Sequence, residues 1–128
     1  MRALLDTHAF LWWLTDSGRL SKEARRTIAD EANEVLVSAA SAWEITTKHR
    51  LGKLPDAAPI ATDIAGAITN QGFGTLPITL EDAERSGVLP GPHRDPFDRI
   101  LIAQSLARNL VLVSNESLFD RYGIHRLW

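Results

Sequence analysis

Short apolar runs rich in β-branched residues alternate with longer stretches of helical spacing along this chain, and that alternation restricts its fold more than any other feature. Arg2–Leu5 reads as a strand, and Thr7 is placed to cap a helix through Leu14, whose Phe10, Trp13 and Leu14 recur at helical spacing. Ser21 opens a charged helix to about Glu31 with a narrow stripe of Ala24, Ile28 and Ala29, as on a surface helix. Val35–Val37 is a second strand, followed by Ser38 and a helix from Ala39 to about Arg50 that ends near Gly52. Ile60, Ile64 and Ile68 predict one amphipathic helix over Asp56–Gln71, closed by Gly72.

Leu76–Ile78 reads as a third short strand, and Thr79 with Asp82 as a capping box opening a helix to about Gly87. Leu89–Arg94, with two prolines and a glycine, is a loop. Pro96–Arg108 has little polar face and is expected to be the central, largely buried helix. Leu110–Val113 is a strand, Ser114 caps a final helical turn, and a terminal run covers Ile124–Trp128. Parallel neighbours need a crossover, so the pattern predicts an α/β fold: a mostly parallel central sheet with helices on both faces. At 128 residues and 45% hydrophobic, the chain supports one domain over 1–128 with one core.

In such sheets ligands bind beyond the carboxyl ends of the strands, which directs attention to the acids found there. Asp6 follows the first strand, and Glu116 comes three residues after Val113. Taken alone, Asp6 is explained as a helix cap. Glu44 sits well inside its helix if that helix starts at Ser38, although Lys48 at i+4 offers an ordinary ion pair. In Asp95-Pro96-Phe97-Asp98, Asp95 suits the N-cap and Pro96 the first helical position. Asp98 then projects from the helix start toward the carboxyl edge of the sheet.

Converging carboxylates repel one another and raise their own pKa values unless a cation joins them. Oxygen-only donors select Mg2+, or Mn2+ in its place, and such an ion can activate water and polarise a phosphoryl oxygen. Phosphodiester hydrolysis is the reaction that suits this set best. Cysteine is absent, which excludes thiolate zinc sites and disulfides and fits a reducing cytoplasm. The apolar run Ala9–Leu14 is too short for a signal-peptide core or a membrane span, so a soluble cytoplasmic protein is expected. A formal net charge of -2 gives no global basic field, so any nucleic-acid contact must be local. Lys48, His49, Arg50 and Lys53, or Arg94 and Arg99 beside Asp98, are candidates to hold phosphates. His8, His49, His93 and His125 are scattered without ligand spacing, and surface or packing roles are expected for them. Core or interface packing is expected for Trp12, Trp13, Trp43 and Trp128 in preference to base stacking.

The segments LLDTHAFLWW, VLVSAASAWEITTKHRLGKL, LPITLEDAERSGVLPGPHRDPFDRILIAQS and LVLVSNESLFDRYGIHRLW cover nearly the whole chain. Together they resemble the PIN-domain ribonucleases, and within them the VapC-like toxins of toxin–antitoxin pairs. The resemblance implies a PIN-like domain whose first acid is Asp6, second Glu44 and third Asp98, the three expected to hold the metal. The family's fourth acid is usually aspartate, whereas Ser114-Asn115-Glu116 offers a glutamate with one more methylene. Glu116, directly or through water, or else Ser114 or Asn115, would complete the site. Also implied are RNA cleavage dependent on a divalent metal, inhibition of translation, homodimerisation and neutralisation by a cognate antitoxin.

Two other classes stand beside this one. A phosphoryl-accepting receiver domain also places acids after parallel strands, but it needs adjacent acids early and a lysine after a late strand, which Leu110–Glu116 does not provide. A catalytically silent PIN-like binding module would keep the fold and only pair with a partner.

Overall fold

The computed structural model describes residues 1–128 and is built on five parallel strands in the order β3-β2-β1-β4-β5. They are β1 (Arg2–Leu5), β2 (Glu34–Ser38), β3 (Gly74–Leu76), β4 (Val111–Val113) and β5 (His125–Leu127). The chain winds outward from β1 through β2 to β3, then crosses to the other side of β1 to make β4 and β5. That reversal leaves a crevice at the carboxyl ends of β1 and β4, the position where open α/β sheets bind ligands. Leu5 pairs with Val113 in register, and the Asp6 N–H donates to the Val113 carbonyl at 3.1 Å, tying the crevice together at its base.

Side chains alternate across the sheet with period two. Ala3, Leu5, Val35, Val37 and Val113 face a cluster completed by helices α1 (Thr7–Leu14), α2 (Lys22–Ala29) and α5 (Ile64–Asn70). Leu4, Leu36 and Leu112 face the opposite cluster, filled by Ile100, Leu101 and Ile102 of α7 (Pro96–Arg108) and by Phe119. Both faces are thus covered by helices, and α6 (Leu80–Val88) packs on α7. No helix is long and apolar enough to cross a membrane.

Several elements depart from the sequence reading. The N-cap of α1 is Asp6, not Thr7; Thr7 is the first helical residue and is buried. The expected helix over 56–71 is divided into a 3-10 turn (Pro55–Ala57), α4 (Ala58–Ala61) and α5. Local hydrogen bonds account for the break: Thr62 Oγ1 donates to the Pro59 carbonyl, and extended Asp63 caps α5 by accepting from Gly66 N–H at 3.0 Å. The isoleucine spacing still marked the inner side, since Ile64 and Ile68 are buried and Ile60 packs against them. Asp63→Ala should lower unfolding free energy by about 1 kcal/mol in a denaturant titration, the usual worth of an N-cap; an unchanged midpoint would show that the break has another cause.

Strand β3 lies two residues earlier than Leu76–Ile78, because Pro77 has no N–H to continue the ladder. Strand β4 starts at Val111, since the Leu110 N–H is taken by the Ser105 carbonyl behind the left-handed Asn109 that closes α7. The final helical turn is a 3-10 turn (Ser117–Tyr122) capped by Glu116, not Ser114, and the terminal run becomes the edge strand β5 beside β4.

Candidate active site

Asp6, Glu44, Asp98 and Glu116 all line one pocket of about 250 Å³ at the β1/β4 crevice, together with Thr7, His8, Trp12, Lys48, Asp95, Asn115 and Phe119. Each acid arrives by a different local device. Asp6 ends β1 and caps α1, its Oδ1 accepting the Ala9 N–H at 2.7 Å, so the capping and site roles coincide. Burial pushes its carboxyl above the ordinary range, and nearby Glu44 pushes the same way; the Ser114 hydroxyl, the Ala9 N–H and the charge of His8 act against them.

Glu44 is only 3% exposed on α3 (Ala39–Arg50), whose N-cap is Ser38, as its place in the sequence suggested. Its Oε1 accepts from the Thr7 hydroxyl at 2.6 Å, and its Oε2 pairs with the Lys48 ammonium one turn on. Burial opposes the charge on Lys48, but the hydrogen bond and charge of Glu44, helped by Asp95 and Asp98, hold its pKa above the ordinary value. Lys48 is thus a fixed cation on the acidic wall.

Asp95 caps α7, its Oδ1 accepting from the N–H groups of Phe97 and Asp98 at 2.8 and 3.2 Å. Asp98, in the first turn of α7, has its carboxyl pushed up to about 8 by burial first, then by Asp95, Glu44 and Asp6, with Lys48 opposing. Glu116 is exposed on the rim, its Oε1 accepting the Leu118 N–H at 3.1 Å while its own N–H donates to Ser114 Oγ. Ser114 is fully buried and reaches Asp6, so it supports the first acid; Asn115 lies at the surface of the pocket.

No three of the acids and histidines close on a point as a ready-made metal cage. The donor set nevertheless fits a hard divalent cation. It is all oxygen, two of its carboxyls are pushed upward by burial first and by neighbouring acids second, and Lys48 is the only basic residue except His8 on the pocket wall. Magnesium keeps several of its waters, so an open group of carboxylates suits it.

The basic and aromatic residues sort themselves differently from the sequence reading. Arg99 is not free for phosphate, because its guanidinium donates to the carbonyls of Ser86, Leu89 and His93. Trp12, Trp13 and Trp128 pack against the core as expected, but Trp43 is 55% exposed, standing edge-on to Phe97 with centroids 5.0 Å apart. His93 does pack, against Phe119, and it also brings Nε2 within 3.2 Å of Asp98 Oδ2, a contact the sequence did not suggest. Thr7 as anchor of Glu44 was missed as well; a polar residue directly after a strand-end acid was the available signal.

The acidic crevice lies at the reversal point of a parallel sheet, where open α/β domains place their ligand sites. More particularly, the chain belongs to the PIN domain family, whose sequence profile matches residues 3–124. It is similar to ribonuclease VapC22 of Mycobacterium tuberculosis, with 28% identity over 114 residues, 88% of this chain and 85% of that protein. Ribonuclease VapC16 of the same organism is 41% identical over 61 residues, which spans 48% of this chain and 42% of that protein, less than half of either. In fold it resembles VapBC2 from Rickettsia felis, solved bound to a DNA fragment from their promoter, with a TM-score of 0.71 and 15% identity over 99% of this chain and 98% of that one. A toxin–antitoxin complex from Klebsiella pneumoniae gives a TM-score of 0.59 and 22% identity over 90% and 87% of the two chains.

Proposed function

We propose that the chain is a Mg2+- or Mn2+-dependent endoribonuclease, acting in the cytoplasm as the toxin of a type II toxin–antitoxin pair. Its partners on this reading are an RNA substrate, a cognate antitoxin and a second copy of itself. The observation that carries the chemistry is the gathering of Asp6, Glu44, Asp98 and Glu116 on one pocket with Lys48 among them. The likeness to VapC ribonucleases supports the choice of RNA, and the fold shared with a chain of a toxin–antitoxin complex supports that of an antitoxin partner.

Asp6, Glu44 and Asp98 would hold the cation, with Glu116 reaching it from the rim. The ion, when bound, supplies a Lewis acid for a phosphoryl oxygen and lowers the pKa of water for in-line attack on phosphorus. The chain's own groups then have distinct tasks. Glu44, engaged by Thr7 and Lys48, keeps the ammonium charged and in place. Lys48 offers N–H donors to a non-bridging phosphate oxygen. His49, Arg50 and Lys53 continue from it along exposed surface, where they can meet neighbouring phosphates.

Incubation with cellular RNA and mapping of the new ends is the direct test, and cleavage should appear with Mg2+ or Mn2+ and vanish with chelator. Either ion should also raise the melting temperature of the metal-free protein. At a hundredfold excess over Kd the gain is about 2.7 kcal/mol. Absence of both cleavage and thermal shift with every divalent ion tried would leave the silent binding module as the better reading.

A further inference from the structure

The segment between α6 and α7 is fastened with more bonds than a connecting loop needs. The Arg99 guanidinium donates to the carbonyls of Ser86 (2.9 Å), His93 (2.9 Å) and Leu89, and the His93 N–H donates to the Tyr122 hydroxyl at 2.7 Å. Gly91, at φ +111, lies under the Tyr122 ring, where a Cβ would fall 2.7 Å from ring atoms. The product of this fastening is one placement: the His93 imidazole, 9% exposed and packed on Phe119, with Nε2 3.2 Å from Asp98 Oδ2.

That contact is close but not aligned. Nε2 has no hydrogen-bond partner although it is buried, and the Asp98 side chain accepts no hydrogen bond from any other group. Buried polar nitrogens are almost always partnered, so an orphan aimed at a site carboxylate calls for an explanation. The opposite arrangement is seen at Asp6 and Glu44, whose oxygens are held by Ala9, Ser114, Thr7 and Lys48. Asp98 alone lacks a donor that would fix its rotation.

We infer that His93 is the positioning residue for Asp98: its Nε2–H engages Oδ2 when the pocket takes up a divalent cation, setting the carboxylate's rotation and leaving the other oxygen for the ion. The inference rests on the metal-dependent reading above and adds to it a residue outside the acid set. Neighbouring groups that hold a metal-binding side chain in place by hydrogen bonding typically change metal affinity about 10–100-fold when removed.

Three proteins separate a donor from a packing role: wild type, His93→Gln, which keeps an N–H donor, and His93→Phe, which keeps an aromatic against Phe119. Mn2+ affinity is measured by calorimetry, RNA cleavage as kcat and KM, and folding by melting temperature. His93→Phe should weaken Mn2+ about 10–100-fold and lower kcat with KM for RNA unchanged, while His93→Gln recovers most of both. Equal Mn2+ affinity in wild type and His93→Phe overturns the assignment, as does a His93→Gln protein as impaired as His93→Phe at equal stability. A wild type that binds no Mn2+ in calorimetry overturns the metal reading and the inference with it, whereas binding that is unchanged in His93→Phe overturns the inference alone. Nitrogen-15 spectra of the histidines in Mg2+-loaded wild type should show the His93 proton on Nε2, and a proton on Nδ1 instead overturns the inference.

Discussion

Replacing Asp98 by Asn is expected to cut RNA cleavage by on the order of a hundredfold or more, the scale of one lost electrostatic contact to a transition state, while making the metal-free protein more stable. The second half follows from the carboxyl's surroundings. Its pKa rises from 3.8 to about 8 on folding, so the folded protein holds a proton there that the unfolded chain has released. Stability contributed by this group is therefore fully present below pH 3.8 and is lost as pH climbs toward 8. Asparagine has no such dependence. The melting temperature of the variant should exceed that of wild type in chelator, and the gap should widen between pH 5 and pH 8. Saturating Mg2+ or Mn2+ should narrow it, because only wild type retains the full set of ligands. Full activity in Asp98→Asn would remove Asp98 from the site.

Arg108→Ala should be among the most destabilising exchanges on the surface of α7, by about 2 kcal/mol, because it takes the main charged donor from a carboxylate that is itself buried. Asp82 is 2% exposed and receives both guanidinium nitrogens of Arg108, at 2.9 and 3.0 Å, together with Gln104 Nε2 and the Thr79 N–H. Burial alone would raise the Asp82 carboxyl, but Arg108 and these donors outweigh it and hold it at about 2. The pair contributes above pH 3.8, and its contribution disappears as pH falls toward 2. Urea titrations should show the loss at pH 7 and a smaller difference between wild type and variant near pH 2. A drop in melting temperature on the order of 10 °C is expected for a domain of this size. A change within experimental error at pH 7 would mean that the Thr79 and Gln104 donors suffice. Cleavage at a temperature where both proteins are folded should be unaffected, since α6 and the Arg108 end of α7 stand away from the crevice.

The layout of the sheet could be read in the sequence wherever a strand was an apolar run with β-branched residues, as in Val35–Val37, and wherever a helix carried its own caps, as at Ser38 and Asp95. Local chemistry decides such elements. Strand β5 escaped because His125 and Arg126 interrupt its apolar pattern, and its pairing with β4 is a long-range fact. The division of 56–71 escaped because isoleucines at steps of four continue in phase across Thr62 and Asp63, whose side chains interrupt the helix. Three acids of the pocket could be proposed from their positions after strands or at a helix start. Their individual surroundings could not, since Thr7 meets Glu44 across 37 positions and His93 meets Asp98 only because Arg99 folds the intervening loop. Asp82 shows the same limit from the other side. Its capping box with Thr79 was plain in the sequence and is present, yet its partner Arg108 lies 26 residues away.

Arg99 holds the α6–α7 loop through three main-chain oxygens and no side chain. Every amino acid brings a carbonyl, so the clamp is indifferent to what occupies Val88, Pro90 or Pro92. A saturation library across this loop would therefore accept broad chemical variety at those exposed places, while Gly91, His93 and Arg99 itself would tolerate little. The loop's path is set chiefly by one residue on the helix that follows it, which lets the exposed loop change composition without moving Asp98.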